Sequence, residues 1–339
     1  MSAASAASGT RPRVAVTLGD PAGVGPELIA KLLSVPETAQ AADIVLISDE
    51  TELRDAGKDA STTIEYATEP TPGLPLLLDN SAERPVEVFE RKTATEAGGR
   101  WAMSNLLRAL ELAKRGEVDA IVFAPLNKYA LHLAGMREKD ELRWFEIVLG
   151  AEDYTSELNI LPNLWTARVT SHVSLAEVSA GITRQNVGAA SRLLDKVLRE
   201  AGIEAPRIGV CALNPHAGES GKFGRHEIDI ISPAIGDLTA DGIDATGPFP
   251  SDTIFLRAQA GDFDGILTMY HDQGQIAMKL MGFDGGVTVQ GGLPVPICTP
   301  AHGTAFEIVG KGIANTGSIR NAFDLAVRIG ARRKAAAAN

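Results

Sequence analysis

Cysteine is nearly absent. Cys211 and Cys298 are the only two among 339 residues, too few for a disulfide framework or a cysteine-built zinc site. Positive charge is short as well: 32 Lys and Arg face 43 Asp and Glu, a formal charge of −11. Such a chain is a poor electrostatic partner for nucleic-acid phosphates or anionic lipid. No apolar run approaches the roughly 20 residues of a membrane span. Met1 to Thr10 has neither a basic nor an apolar region, which excludes a secretory signal peptide. This stretch is expected to be a disordered leader, and Lys334 to Asn339 a matching tail. What remains is a soluble chain of a reducing compartment, read as cytoplasmic, with 45% hydrophobic and 22% charged residues. Its length suits two domains.

Apolar runs bounded by turn residues alternate with helical periodicity. Val14–Leu18, Ile44–Ile47, Ala120–Phe123, Ile208–Ala212 and Gly265–Met269 read as buried strands. Met103, Leu106, Leu107, Leu110 and Ala113 share one helical face, as do Ala190, Leu193, Leu194, Val197 and Leu198, and Ile319, Ala322, Phe323, Ala326 and Val327. The alternation predicts an α/β fold with largely parallel sheet. Pro70–Pro85, rich in Pro and Gly, reads as a surface excursion. A domain crossing is expected near Asn127–Leu131, where Ala124-Pro-Leu ends a strand abruptly.

Six histidines punctuate the chain. His132 lies among leucines and suits a packing role, while His226, in Arg225-His-Glu227, reads as solvated. Three others follow strands: His172 after Arg168-Val-Thr-Ser171, His216 within Leu213-Asn-Pro-His-Ala-Gly-Glu219, and His271 in Met269-Tyr-His-Asp-Gln-Gly274. Carboxyl ends of parallel strands are where α/β proteins place ligands. Three imidazoles delivered there could hold one divalent ion and leave a position open for substrate, or each could be structural. Asp252 and Asp272 are loop carboxylates able either to cap turns or to orient an imidazole or a metal-bound hydroxyl. Lys279 interrupts an apolar stretch, and either snorkels to solvent or holds an acidic substrate group.

The last histidine, His302, opens His302-Gly-Thr-Ala-Phe-Glu-Ile-Val-Gly-Lys-Gly-Ile-Ala-Asn315. Small residues there let backbone approach a flat ligand, and Glu307 could accept hydrogen bonds from a ribose diol. Thr17-Leu-Gly-Asp-Pro-Ala-Gly-Val-Gly-Pro-Glu27 is a strand–loop–helix entry, with Pro26 suited to a first helical position and Glu27 to the helix dipole. It is neither a GxGxxG fingerprint nor a Walker loop.

Taken together, Gly19–Glu27, Ala124–Lys128 (APLNK), Thr170–His172, Leu213–Glu219, Gly247–Thr253 (GPFPSDT), Tyr270–Gly274 and His302–Asn315 resemble the 4-hydroxythreonine-4-phosphate dehydrogenase family of vitamin B6 biosynthesis. The resemblance runs from about Val14 to Ala331, and its first and last motifs also resemble isopropylmalate dehydrogenase. It implies a two-domain isocitrate/isopropylmalate dehydrogenase-like fold with the active site in the inter-domain cleft. The expected division is 12–128 plus 300–333 for a terminal domain carrying the NAD adenosine loop, and 129–299 for a central metal-binding, substrate-binding and dimerisation domain.

The resemblance also implies a homodimer with shared active sites. His172, His216 and His271 match the metal ligands, one of them supplied by the partner, for an ion such as zinc, cobalt, nickel, magnesium or manganese. Asp252, Asp272 and Lys279 match catalytic or substrate-contacting residues, and Thr288 stands where the family has a substrate-contacting Asn. His302, Gly303, Thr304, Glu307 and Asn315 match the cofactor loop, with Glu307 favouring NAD over NADP by repelling a 2′-phosphate. The expected reaction is oxidation of a secondary alcohol β to a carboxylate, with decarboxylation.

Departures from the family pattern concern the substrate. Its Gly-His-Thr-Glu motif is replaced by Asp140-Glu-Leu-Arg143, and its phosphate-contacting Arg aligns with Ile297. An altered substrate follows, with a terephthalate-type cis-dihydrodiol dicarboxylate or a 4-phospho-threonate or erythronate as alternatives. A phosphate acyltransferase-like activity is the remote one, on fold analogy alone.

Overall fold

The computed structural model describes residues 11–282 and 285–337; the leader lies outside the described residues, as does the tip of the tail. The eleven strands of the described residues are β1 (Arg13–Thr17), β2 (Asp43–Ser48), β3 (Leu76–Asp79), β4 (Ala120–Phe123), β5 (Ser156–Leu161), β6 (Leu164–Arg168), β7 (Arg207–Cys211), β8 (Asp244–Phe249), β9 (Gly265–Thr268), β10 (Val287–Gly291) and β11 (Ile297–Pro300). The chain divides into two compact units, Met1–Asp140 with Val295–Asn339 and Glu141–Pro294. These divisions fall at 140/141 and 294/295, against the 128/129 and 299/300 expected from the sequence. Helix Lys128–Leu133 belongs to the terminal unit because it packs against helix Glu96–Lys114. Their approach is close: a Cβ at Gly99 would lie 2.0 Å from the Ala130 carbonyl oxygen.

In the terminal unit the strand order is β3-β2-β1-β4-β11. All four pairings are parallel. β1 and β4 are apolar nearly throughout and fully buried over most of their length, as parallel strands covered on both faces must be. Pro70–Pro85 is not wholly an excursion. Its Leu76–Asp79 stretch pairs with β2 as an edge strand, with Leu77 buried against the sheet.

The central unit has the order β10-β5-β6-β9-β7-β8. β10, β5 and β6 pair antiparallel, whereas β6, β9, β7 and β8 run parallel. Helix Arg184–Glu200 buries Val187, Ala190, Leu194, Val197 and Leu198. It starts where the Thr183 hydroxyl accepts the Asn186 N–H at 3.1 Å, satisfying one of the helix's orphan donors.

One buried carboxyl gives the terminal unit a pH signature. Glu52 is only 4% exposed. It accepts hydrogen bonds from Ser48 Oγ at 2.6 Å and Trp101 Nε1 at 2.9 Å. Burial nevertheless dominates and pushes its pKa from 4.5 to about 7. A raised folded-state pKa gives stability that is full below the unfolded value and lost as pH rises through the folded one. Wild type should therefore lose on the order of 2 kcal/mol between pH 5 and 8 relative to Glu52→Gln, which does not titrate. Urea unfolding of both proteins at the two pH values measures the difference; an equal gap at both would refute this account.

Candidate active site

Three neighbouring parallel strands of the central unit, β6, β9 and β7, end beside one another, and each leads into one of the three histidine segments. The Thr170 side chain ties the first two ends together, its hydroxyl donating to the Met269 carbonyl at 2.8 Å. The second and third are tied by Gln273, which accepts the Met269 N–H at 2.6 Å and donates to the Ala212 carbonyl at 2.8 Å. The sheet thus brings together what lies a hundred residues apart in sequence.

His172 and His271 come closest, with ring centroids 5.5 Å apart. Nδ1–H of His271 donates to the Asp272 carboxylate at 2.7 Å, which orients the ring and, in the neutral tautomer, turns the lone pair of Nε2 outward as the ligating atom. His172 has a left-handed backbone, φ 51°, a conformation rare outside glycine and frequent at ligand sites.

His216 is held differently. His216, Ala217, Gly218, Glu219 and Ser220 all have positive φ, so Pro215–Gly221 is a left-handed turn. L-residues resist this by about 1–2 kcal/mol each, and something must compensate. Glu227 does. Its buried carboxylate accepts the N–H of Leu213 at 2.9 Å, the N–H of Asn214 at 2.8 Å and the Asn214 amide at 3.0 Å. Burial alone would raise its pKa, but these hydrogen bonds hold it below the usual carboxylate range. A Cβ at Gly218 would meet Glu227 Oε2 at 2.6 Å, so the turn closes directly over the carboxylate. Glu227 is inconspicuous in the sequence, because Arg225-His-Glu227 looks solvated; its only sign there is the unsatisfied backbone of the Gly-rich loop. His226 beside it is half-buried, with Ser179 Oγ 2.9 Å from its Nε2.

Among the described residues no three His, Cys, Asp or Glu side chains gather closely enough to hold an ion. The structure brings His172 and His271 together, and His216 stands on the strand end next to them. Asp252 is exposed in the first turn of helix Ser251–Gln259. Lys279 is exposed near the end of helix His271–Leu280. Thr288 lies half-buried on β10, its hydroxyl accepting from the Asn159 amide at 3.1 Å.

The cofactor-loop residues lie in the terminal unit. Segment 302–315 packs on the entry loop of residues 19–27. Val24 N–H donates to the Thr304 carbonyl at 2.9 Å, and a Cβ at Gly23 would lie 2.9 Å from Thr304 Cβ. Glu27, expected to serve only the helix dipole, is buried; it pairs with Lys31 at 2.8 Å and accepts the Ala314 N–H at 2.8 Å. Lys31 in turn donates to the carbonyls of Gly312 and Ala314. Two loops that are each weak signals in sequence are therefore one structure. Its open side presents His302, Gly303 and Glu307, all exposed. Asn315 accepts the Gly317 N–H at 2.8 Å and starts helix Gly317–Ala337, so the structure gives it a capping task.

Residues 39–326 match the family described as pyridoxal phosphate biosynthetic protein PdxA. The chain belongs to the PdxA family. It is 52% identical over 337 residues to a Pseudomonas aeruginosa protein named "Putative 4-hydroxythreonine-4-phosphate dehydrogenase 2", covering 96% of this chain and 98% of that one. It is 38% identical to the D-threonate 4-phosphate dehydrogenase of Salmonella typhimurium, over 93% and 98% of the two chains. The crystal structure of 4-hydroxythreonine-4-phosphate dehydrogenase from Klebsiella pneumoniae superposes with a TM-score of 0.81 at 33% identity, covering 96% and 99%. A terephthalate 1,2-cis-dihydrodiol dehydrogenase from Burkholderia xenovorans gives 0.67 at 29%, covering 94% and 98%. The α/β fold class expected from the sequence is the fold of these PdxA-type dehydrogenases. No described helix is long and apolar enough to cross a membrane.

Proposed function

We propose that this PdxA-family protein is an NAD- and metal-dependent dehydrogenase that oxidises a secondary alcohol β to a carboxylate, with decarboxylation. The observation that carries this reading is the approach of His172 and His271, with Asp272 fixing the second imidazole. The donor set fits a divalent ion such as zinc: neutral imidazoles, one of them oriented by a carboxylate, beside a third strand-end histidine. His172, His216 and His271 would hold it, one of them contributed by a second copy of the chain. Exposed Val173, Leu175, Phe223, Ile276 and Leu280 lie on the segments that carry these histidines, and a homodimer would cover them. When bound, the ion would polarise the substrate hydroxyl and stabilise negative charge on its oxygen.

The chain's own residues do the rest. Lys279 holds the substrate's carboxylate or phosphate, and Thr288 contacts its polar body. Asp252 positions the reacting hydroxyl and would take up its proton, NAD, when bound, serving as the hydride acceptor. The resulting β-oxo acid then loses carbon dioxide, the electron pair of the broken carbon–carbon bond staying on the α carbon until it is protonated. His302, Gly303 and Thr304 would hold the adenosine of NAD, with Glu307 accepting hydrogen bonds from its ribose hydroxyls. A threonate-type hydroxy acid phosphate is the first substrate class, since a relative carries that name. An unphosphorylated dihydrodiol carboxylate is the second, favoured by the lack of a cation at Ile297.

Nicotinamide reduction in the presence of each substrate class, with and without a chelator, tests the reading. Turnover should require the metal, and no turnover with any alcohol would refute it. NAD should exceed NADP in kcat/KM by about ten- to a hundredfold, or about 1.4–3 kcal/mol. Glu307→Gln should narrow that gap. Equal efficiency with both nicotinamides in the wild type would remove Glu307 from this role.

A further inference from the structure

The register of β10, β5 and β6 aligns Thr288 with Asn159 and Thr166, and Gln290 with Glu157. These side chains share one face of the sheet, because strand side chains alternate. At one end that face is ordinary core, where Leu161 and Leu164 join Met278. At the other it is polar and still buried: Asn159, Thr166, Arg168 and Gln290 are each 6% exposed or less.

At its hub is Arg168. Its guanidinium pairs with Glu157 at 2.5 Å and donates to Asn159 Oδ1 at 2.7 Å and to Ser171 Oγ at 2.9 Å. Asn159 passes the contact on to Thr288 and also accepts from Gln275, whose helix begins at His271. Ser171 immediately precedes His172. One side chain thus reaches toward a metal-ligand loop, a substrate position and the helix of a second ligand. A buried ion pair costs desolvation that well-packed apolar residues would avoid, so stability is a poor reason for having one here.

We propose that Arg168 is a positioning residue for the metal and substrate sites, setting the His172 loop through Ser171 and Thr288 through Asn159. The inference rests on the reading of His172 as a ligand and Thr288 as a substrate contact. A planar guanidinium spans three acceptors in fixed directions; an ammonium does not. Arg168→Lys keeps the charge opposite Glu157 and releases the fork.

The test is zinc titration of the metal-free protein as wild type, His172→Ala and Arg168→Lys, with KM and kcat of the reloaded enzymes. Arg168→Lys should bind zinc about 10–100-fold more weakly, the range for lost outer-shell partners, with a raised KM. The paired variant Arg168→Met with Glu157→Gln removes both charges and keeps the test readable if the lysine variant fails to fold; it should show the same weakening. Weak binding by His172→Ala with wild-type zinc affinity and KM in the Arg168 variants would overturn the proposal and leave the metal reading standing. Wild-type affinity in His172→Ala would overturn the metal reading itself, and this proposal with it.

Discussion

His216→Ala should abolish stoichiometric metal binding and lower kcat/KM by at least about three powers of ten. Loss of a Lewis acid forfeits several kcal/mol of transition-state stabilisation, at about 1.4 kcal/mol per tenfold. Local collapse is a poor alternative explanation, because the turn that carries His216 is held from below by Glu227 and not by the imidazole. The Glu227 carboxylate binds the backbone of Leu213 and Asn214, and neither bond involves the substituted side chain. Elemental analysis after dialysis reads the metal, and circular dichroism with thermal melting reads the fold. Full retention of the ion at wild-type stoichiometry would remove His216 from the ligand set. Retained metal with lost activity would give it a substrate-facing role instead.

How much of this site was legible in the sequence depends on the kind of residue. The histidines stood out because imidazoles at the ends of apolar runs are chemically conspicuous, and β7 and β9 were such runs. β5 and β10 do not read as strands in the sequence. Their sequences, Ser156–Leu161 and Val287–Gly291, carry polar residues on the face that Arg168 organises, so they lack the continuous apolar character that marks a buried parallel strand. The property that hid them is the one that makes them interesting. Arg168 and Glu227 are inconspicuous in the sequence for a related reason. A buried charge is recognisable only by its partners, and those partners lie on other strands or across a loop closure. Likewise, the entry loop and segment 302–315 gave separate weak signals, and only Glu27 and Lys31, bonding to Gly312 and Ala314, make them one object.

The substrate preference carries the second large effect. 4-Hydroxythreonine 4-phosphate should be a poor substrate, with kcat/KM roughly two to four powers of ten below the best of a panel that includes D-threonate 4-phosphate and a cis-dihydrodiol carboxylate. Two contacts that the family resemblance implies for that molecule are missing. Ile297 occupies the position of the phosphate-contacting Arg, and it is fully buried in β11, in register with Ile121 of β4. No loop adjustment turns a core strand residue into an anion clamp. The second loss is Gly-His-Thr-Glu, replaced by Asp140-Glu-Leu-Arg143. Asp140 is buried and Glu141 begins helix Glu141–Leu149, so Glu141 and Leu142 stand where the family has its His and Thr, and neither offers a phosphate a hydrogen-bond donor. Each charge-assisted contact is worth about 1.5–3 kcal/mol, which sets the expected range. Arg143 is the residue that could reverse the outcome. Its guanidinium is engaged by Glu146 and by Thr155 Oγ1 at 3.0 Å, so a phosphate would have to draw it away from a carboxylate. A wide margin in favour of 4-hydroxythreonine 4-phosphate would show that it does. Arg143→Met should then raise the KM for that substrate while leaving the KM for an unphosphorylated diol where it was.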